Sequence, residues 1–184
     1  MATGGKKAET HDRIVRAAAK AIRRDGYAET GVAEVMHEAG LTHGGFYAHF
    51  SSREAMLAEA LDRAAADANA SLAERATGDD PLAALVASYL SDRHVAATDA
   101  GCTIAALGGE TRRQGPAIRK VATRHLTALV DTIAKLEPAV DPLAALSTLV
   151  GALVIARIVD DPALSKRVRE AAARVVTARP KKRR

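Results

Sequence analysis

The chain has 184 residues, 48% of them hydrophobic, with a formal net charge of +5, enough length to bury a sizeable core without staples. Its single cysteine, Cys102, excludes an internal disulfide and fits a reducing cytoplasm; "MATGGKKAET" lacks the apolar run of a signal peptide, and no stretch reaches the ~18 uninterrupted apolar residues of a membrane span. Residues 1–64 carry 9 basic and 9 acidic side chains while 179–184, "RPKKRR", carry five basic ones, so the charge excess belongs to the tail, read first as a solvated, disordered end and second as an auxiliary phosphate-binding arm.

Nearly everything reads as helix, since Ala, Leu, Arg and Glu dominate at spacings of three and four and alternating β-branched runs are absent. The first helix is expected over 10–25, with Ile14, Ala17, Ala18, Ala21 and Ile22 as its inner stripe and Gly26 as its stop signal. A second follows over 32–39, with Val32, Val35, Met36 and Ala39 on one face and Gly40 closing it. A third is expected over 42–50, opened by Thr42 as N-cap. The fourth opens with Ser51-Ser52-Arg53-Glu54, where Ser51 and Glu54 have capping-box spacing, and runs to about residue 76. "TGDDP", 77–81, is a break and the clearest boundary along the chain. Beyond it, helices are expected at 81–97, 102–113, 116–136, 142–159 and 162–178, four of which start with proline at or near the first helical position.

Short second and third helices joined by the tight Gly40-Leu41 turn have the spacing of a helix-turn-helix, with the third as the reading helix. Phe46 and Phe50, the two phenylalanines of the chain, share one face of it and can pack on Ile14, Ile22, Val35 and Met36. His43 and Tyr47 fall on an adjacent face. Gly44 and Gly45 are costly in a helix, roughly 1 kcal/mol each relative to alanine. They suit a helix whose N-terminal end must approach phosphates and base edges closely; tight contact with the first helix is the plainer explanation.

The segment 30–61, "TGVAEVMHEAGLTHGGFYAHFSSREAMLAEAL", resembles the N-terminal domain of TetR-family transcriptional regulators. The resemblance covers about 14–61: a Gly-hydrophobic-Thr turn, a small-aromatic-Tyr-x-His-Phe reading helix and a following Ser-Arg-Glu. It implies an all-α homodimer, with a helix-turn-helix DNA-binding domain at 8–55, a helical effector-binding and dimerisation domain at 56–178 and a basic disordered tail at 179–184. Thr42, His43, Gly44, Gly45 and Tyr47 then match contacts to bases and phosphates, His49 sits where the family often has His or Tyr, Arg53 matches a phosphate clamp, and Thr30 matches a phosphate contact before the second helix. Gly31 and Ala33 depart from the pattern, at positions usually held by a Ser or Thr N-cap and often by an arginine.

The resemblance also implies a small-molecule effector bound among the later helices. Tyr89, Cys102, Leu107, Ile118 and Leu126 are candidate effector-binding or sensing residues, although plain core is the simpler role for each apolar one. Tyr89 is the one aromatic residue beyond Phe50, which disfavours a pocket stacking a flat ligand on both faces. "GCTIAALGGETRRQ", 101–114, resembles a Gly-Cys segment of one TetR subgroup, some members of which sense electrophiles or oxidants. A helix N-terminus beside Cys102 would favour its thiolate; an inert, buried thiol is the alternative. Apolar stripes in 142–178 suit a four-helix dimer interface.

The function expected is thus a transcriptional regulator, a repressor released from a palindromic double-stranded operator by a small molecule or an electrophile. No cofactor, metal site, membrane association or enzymatic activity is expected, because the six histidines show no metal-ligand spacing and no Gly-rich phosphate loop occurs. Two rivals remain: a cysteine peroxidase-like activity at Cys102, and a sequence-neutral DNA-coating protein that uses the basic tail, marked by a steep salt slope.

Overall fold

The computed structural model describes residues 3–178, and the basic tail at 179–184 lies outside them. No strand occurs among the described residues, and no helix among them is long and apolar enough to cross a membrane.

Helix α1, Thr3–Glu29, begins earlier than the sequence suggests. Lys6, Lys7, Ala8 and Glu9 are good helix formers, and the Thr10 hydroxyl donates back to the Lys6 carbonyl at 2.8 Å instead of capping a start. Gly26, the expected stop, breaks the helix at φ 82°, ψ 175°, and one further turn follows it. Helix α2, Val32–Glu38, is closed by Gly40 at φ 68°. Leu41 N–H donates to the Met36 carbonyl and Gly40 N–H to that of His37, both at 2.9 Å, the paired bonds of a Schellman turn that glycine adopts at least cost.

The third helix is a 3-10 helix, His43–Ala48, in place of the longer α-helix expected over 42–50. Adjacent glycines weaken α-helical propagation, and the chain instead makes tight bonds from Gly45 N–H to the Thr42 carbonyl at 3.1 Å and from His49 N–H to that of Phe46 at 2.9 Å. Helix α3, Arg53–Arg75, is capped by Ser52, whose Oγ accepts from Ala55 N–H at 3.1 Å. The Ser51–Glu54 box is shifted out of register by one residue, so Ser51 is not the cap.

The helix expected over 81–97 is two, α4, Pro81–Tyr89, and α5, Asp92–Ala96. Ser91 turns the chain between them, donating to the Ser88 carbonyl at 2.8 Å and accepting from His94 N–H at 3.2 Å. Then come α6, Thr103–Thr111, α7, Pro116–Leu136, α8, Pro142–Ile158, and α9, Pro162–Thr177. Prolines at the first positions of α4, α8 and α9 are preceded by Asp80, Asp141 and Asp161, each of which accepts N–H bonds of the first turn at 2.8–3.2 Å. Such caps contribute about 0.5–2 kcal/mol apiece.

The chain divides into two compact units with boundaries inside α3 and α7. One contains the residues up to Asp67 and Asp99–Arg124, the other Ala68–Thr98 and the residues from His125 onward. In the first, Ile14, Ala18, Ile22, Val35, Met36, Phe46, Phe50, Met56, Leu57 and Leu61 form one core with Leu107 of α6 and Ile118 of α7. The stripes expected on the first three helices therefore meet, and α6 packs on α1. In the second, Leu82, Leu85, Val86 and Tyr89 of α4 and Leu146, Leu149 and Leu153 of α8 are buried, and α9 packs on both α4 and α8.

Candidate nucleic-acid interface

The 3-10 helix presents two faces of opposite character. Phe46 is buried, stacked on Phe50 at 5.5 Å, while its neighbour Tyr47 is 74% exposed and meets Phe46 edge-on at 5.2 Å. Thr42, His43 and Gly44 are exposed as well. An apolar inner edge thus anchors an outer edge carrying a hydroxyl, an imidazole and a phenol, groups that donate to and accept from bases and phosphates.

The two glycines answer to nothing inside the protein. Neither has a positive φ, a methyl group at Gly44 would meet nothing within 4 Å, and one at Gly45 would touch only the Met36 Cε, at 3.6 Å. Contact with the first helix therefore does not require them.

His49 follows the 3-10 helix as its C-cap. Its ring lies 6.0 Å from that of His11, which stacks on Phe50 at 4.6 Å and places Nε2 2.7 Å from the Glu59 carboxylate. The His49 Nδ1 is buried without a hydrogen-bond partner. Burial, and after it the nearby His11 and Lys7, pushes the His49 imidazole below its ordinary value, because each disfavours the charged form.

Thr30 and Arg53 are engaged internally. Thr30 is 1% exposed and its hydroxyl donates to the Gly26 carbonyl at 2.7 Å. Arg53 donates from Nε to the Thr30 carbonyl at 3.1 Å, from Nη2 to that of Ala28 at 3.2 Å, and from Nη2 to that of Tyr27. Both side chains brace the connection between α1 and α2. Arg24 braces the same region from α1, reaching Glu38 at 3.0 Å and Glu34 at 3.3 Å. Spacing in the sequence could not reveal these roles, because a carbonyl acceptor leaves no residue signature.

The candidate effector residues are divided between the two units. Leu107 and Ile118 are in the core of the first unit, among residues of α1, α2 and α3. Cys102, also in that unit, is buried as the residue that opens α6. Tyr89 and Leu126 belong to the second unit, where Tyr89 is buried and meets the His94 ring edge-on at 4.8 Å and Leu126 is partly exposed. An open recess of about 350 Å³ in that unit is lined by other residues, including Val140, Ala144, Thr148 and Val175. Among the described residues no group of three or more His, Cys, Asp or Glu could hold a metal ion.

Residues 14–60 match the model of the bacterial regulatory proteins of the tetR family, and that stretch holds α2, the turn and the whole 3-10 helix. The chain carries a TetR-family N-terminal domain. Its fold agrees throughout: a TetR transcriptional regulator from Chloroflexus aurantiacus J-10-FL superposes with a TM-score of 0.80 at 26% identity, over 95% of this chain and 97% of that one. The reduced form of Escherichia coli NemR has the same fold, with a TM-score of 0.78 at 19% identity over 94% and 98% of the two chains. Among curated proteins, an uncharacterised HTH-type transcriptional regulator of Bacillus subtilis, YerO, is 35% identical over 54 residues. That stretch is 29% of this chain and 19% of YerO, so the likeness in sequence is one of the TetR reading head.

Proposed function

We propose that this TetR-family chain is a sequence-specific DNA-binding transcriptional regulator, a repressor that reads a palindromic operator as a homodimer and is released by a small-molecule or electrophilic effector. Gly44 carries the reading. A residue type that helices disfavour stands on an exposed reading helix where the fold leaves room for a side chain, so the constraint belongs to a partner that must come close. Thr42, His43, Gly45 and Tyr47 flank it and would make the contacts to bases and phosphates, with His49 at the end of the same helix. Tyr89, Cys102, Leu107, Ile118 and Leu126 remain the proposed effector-responsive residues.

The exposed apolar residues Leu143, Ile155 and Ile158 of α8 and Leu164 and Val175 of α9 support a dimer through these two helices. Two reading helices about one turn of DNA apart give a palindrome its specificity.

The test is Gly44→Ala, measured by fluorescence anisotropy on duplex DNA from the gene's own upstream region and, in parallel, by thermal unfolding. Stability is expected to rise by about 0.4–1 kcal/mol, as for glycine to alanine at a compatible backbone, while specific affinity falls about tenfold. Tyr47→Ala is expected to weaken binding by a similar factor and leave folding unchanged. A Gly44→Ala chain that binds as tightly as wild type would remove the main support for this function.

A further inference from the structure

The break in α1 is gripped from two sides. Tyr27 N–H, the first beyond Gly26, donates to Glu110 Oε2 of α6 at 2.9 Å, and the carbonyl of the same residue accepts from Arg53 at the start of α3. Thr111, next along α6, meets the Tyr27 hydroxyl at 3.3 Å. Because the Thr111 hydroxyl is already donated to the Leu107 carbonyl at 2.8 Å, the buried phenol is the donor there. The approach is so close that a Cβ on Gly26 would lie 2.5 Å from Glu110 Oε1. Both the left-handed backbone and the carboxylate therefore require glycine at this point.

Tyr27 opens the connection that leads into α2, and Arg53 stands immediately after the residues that leave the 3-10 helix. The entrance and the exit of the helix-turn-helix are thus tied at one residue, and Glu110 ties that residue to α6. We propose that Glu110 is a positioning residue for DNA reading: its carboxylate fixes the Tyr27 amide, and through it the stance of α2 and the reading helix against α6. The inference rests on the DNA-reading function proposed above. Glu110 itself needs no contact with DNA.

The test uses the full chain and a duplex that wild type selects from a random-sequence pool, with Glu110→Ala, Glu110→Asp and Glu110→Gln. Aspartate keeps the charge but is one methylene too short, whereas glutamine keeps an oxygen acceptor at the original reach. Loss of a charge-assisted bond predicts about tenfold faster exchange of the Tyr27 amide and about tenfold weaker specific binding in the Ala and Asp variants, with most of both restored in Gln. The salt slope is expected to stay that of wild type, since no phosphate contact is lost. If Glu110→Ala fails to fold, the contrast between Asp and Gln decides. Unchanged Tyr27 exchange in Glu110→Asp, or unchanged affinity despite faster exchange, overturns the role of Glu110 alone. A wild-type chain that selects no duplex overturns the DNA-reading function and the inference with it.

Discussion

Arg53 shows how far a residue's environment can redirect its chemistry. Its place after the reading helix suits a phosphate clamp, yet its guanidinium donates to the carbonyls of Tyr27, Ala28 and Thr30. Carbonyls at the end of a helix and in the connection after it have no intrahelical donor, and a fork of N–H groups satisfies them well. Arg53→Ala is therefore expected to lower stability by about 1–3 kcal/mol and to leave the slope of log affinity against log salt unchanged. A slope that falls by about one with stability intact would instead place the guanidinium on a phosphate. Tyr47 and Phe46 were legible from sequence, because a four-residue spacing between Phe46 and Phe50 fixes one inner face and turns Tyr47 outward. Glu110 was not, since its partner is 83 residues away and bonds through a backbone N–H that every non-proline residue possesses.

Among the elements, helix termini marked by glycine or proline were read well, and those marked by serine less so. Prolines open α4, α7, α8 and α9 where expected, whereas the Ser91 corner that divides α4 from α5 has no glycine or proline to announce it. That corner holds a titratable group. His94 Nδ1 is 2.6 Å from the Tyr89 carbonyl, and Arg157 of α8 donates to the carbonyls of His94, Val95 and Ala97 at 2.8–3.3 Å. Burial is the main influence on His94 and pushes it below the ordinary 6.5; the Tyr89 carbonyl opposes this, and Arg157 and Arg75 add to it. The folded chain then binds its proton at lower pH than the unfolded chain, so in the interval between the two values the unfolded state carries more protons and stability rises with pH. His49 shifts in the same direction. The stability concerned is present above about pH 6.5 and lost as pH falls. Thermal unfolding is expected to show a lower midpoint at about pH 5.5 than at about pH 7.5, and His94→Gln should reduce the difference. A midpoint independent of pH in wild type would refute the assignment.

At the scale of the whole molecule, one six-residue reading helix would touch too few base pairs to select a site, so the proposed specificity calls for a second copy. The apolar stripe expected on α8 serves two directions. Leu146 and Leu153 are buried within the chain while Leu143 and Ile158 face outward, a division that hydrophobicity alone cannot make because both faces are apolar. Ile158 is the most exposed of the large aliphatic side chains, at 75%. If α8 and α9 form the dimer, Ile158 is buried twice across the two-fold axis, at about 1.5–3 kcal/mol per side chain. Ile158→Glu replaces both copies with like charges, and the dimer is expected to weaken by about two orders of magnitude or more. Sedimentation should then show monomer at concentrations where wild type is dimeric, with the helical circular dichroism of each chain retained. Affinity for a full palindrome should fall towards that for a half-site, while half-site binding itself stays as in wild type. Retained dimer in Ile158→Glu would move the two-fold axis to a different face of the chain and require another account of how two reading helices are spaced.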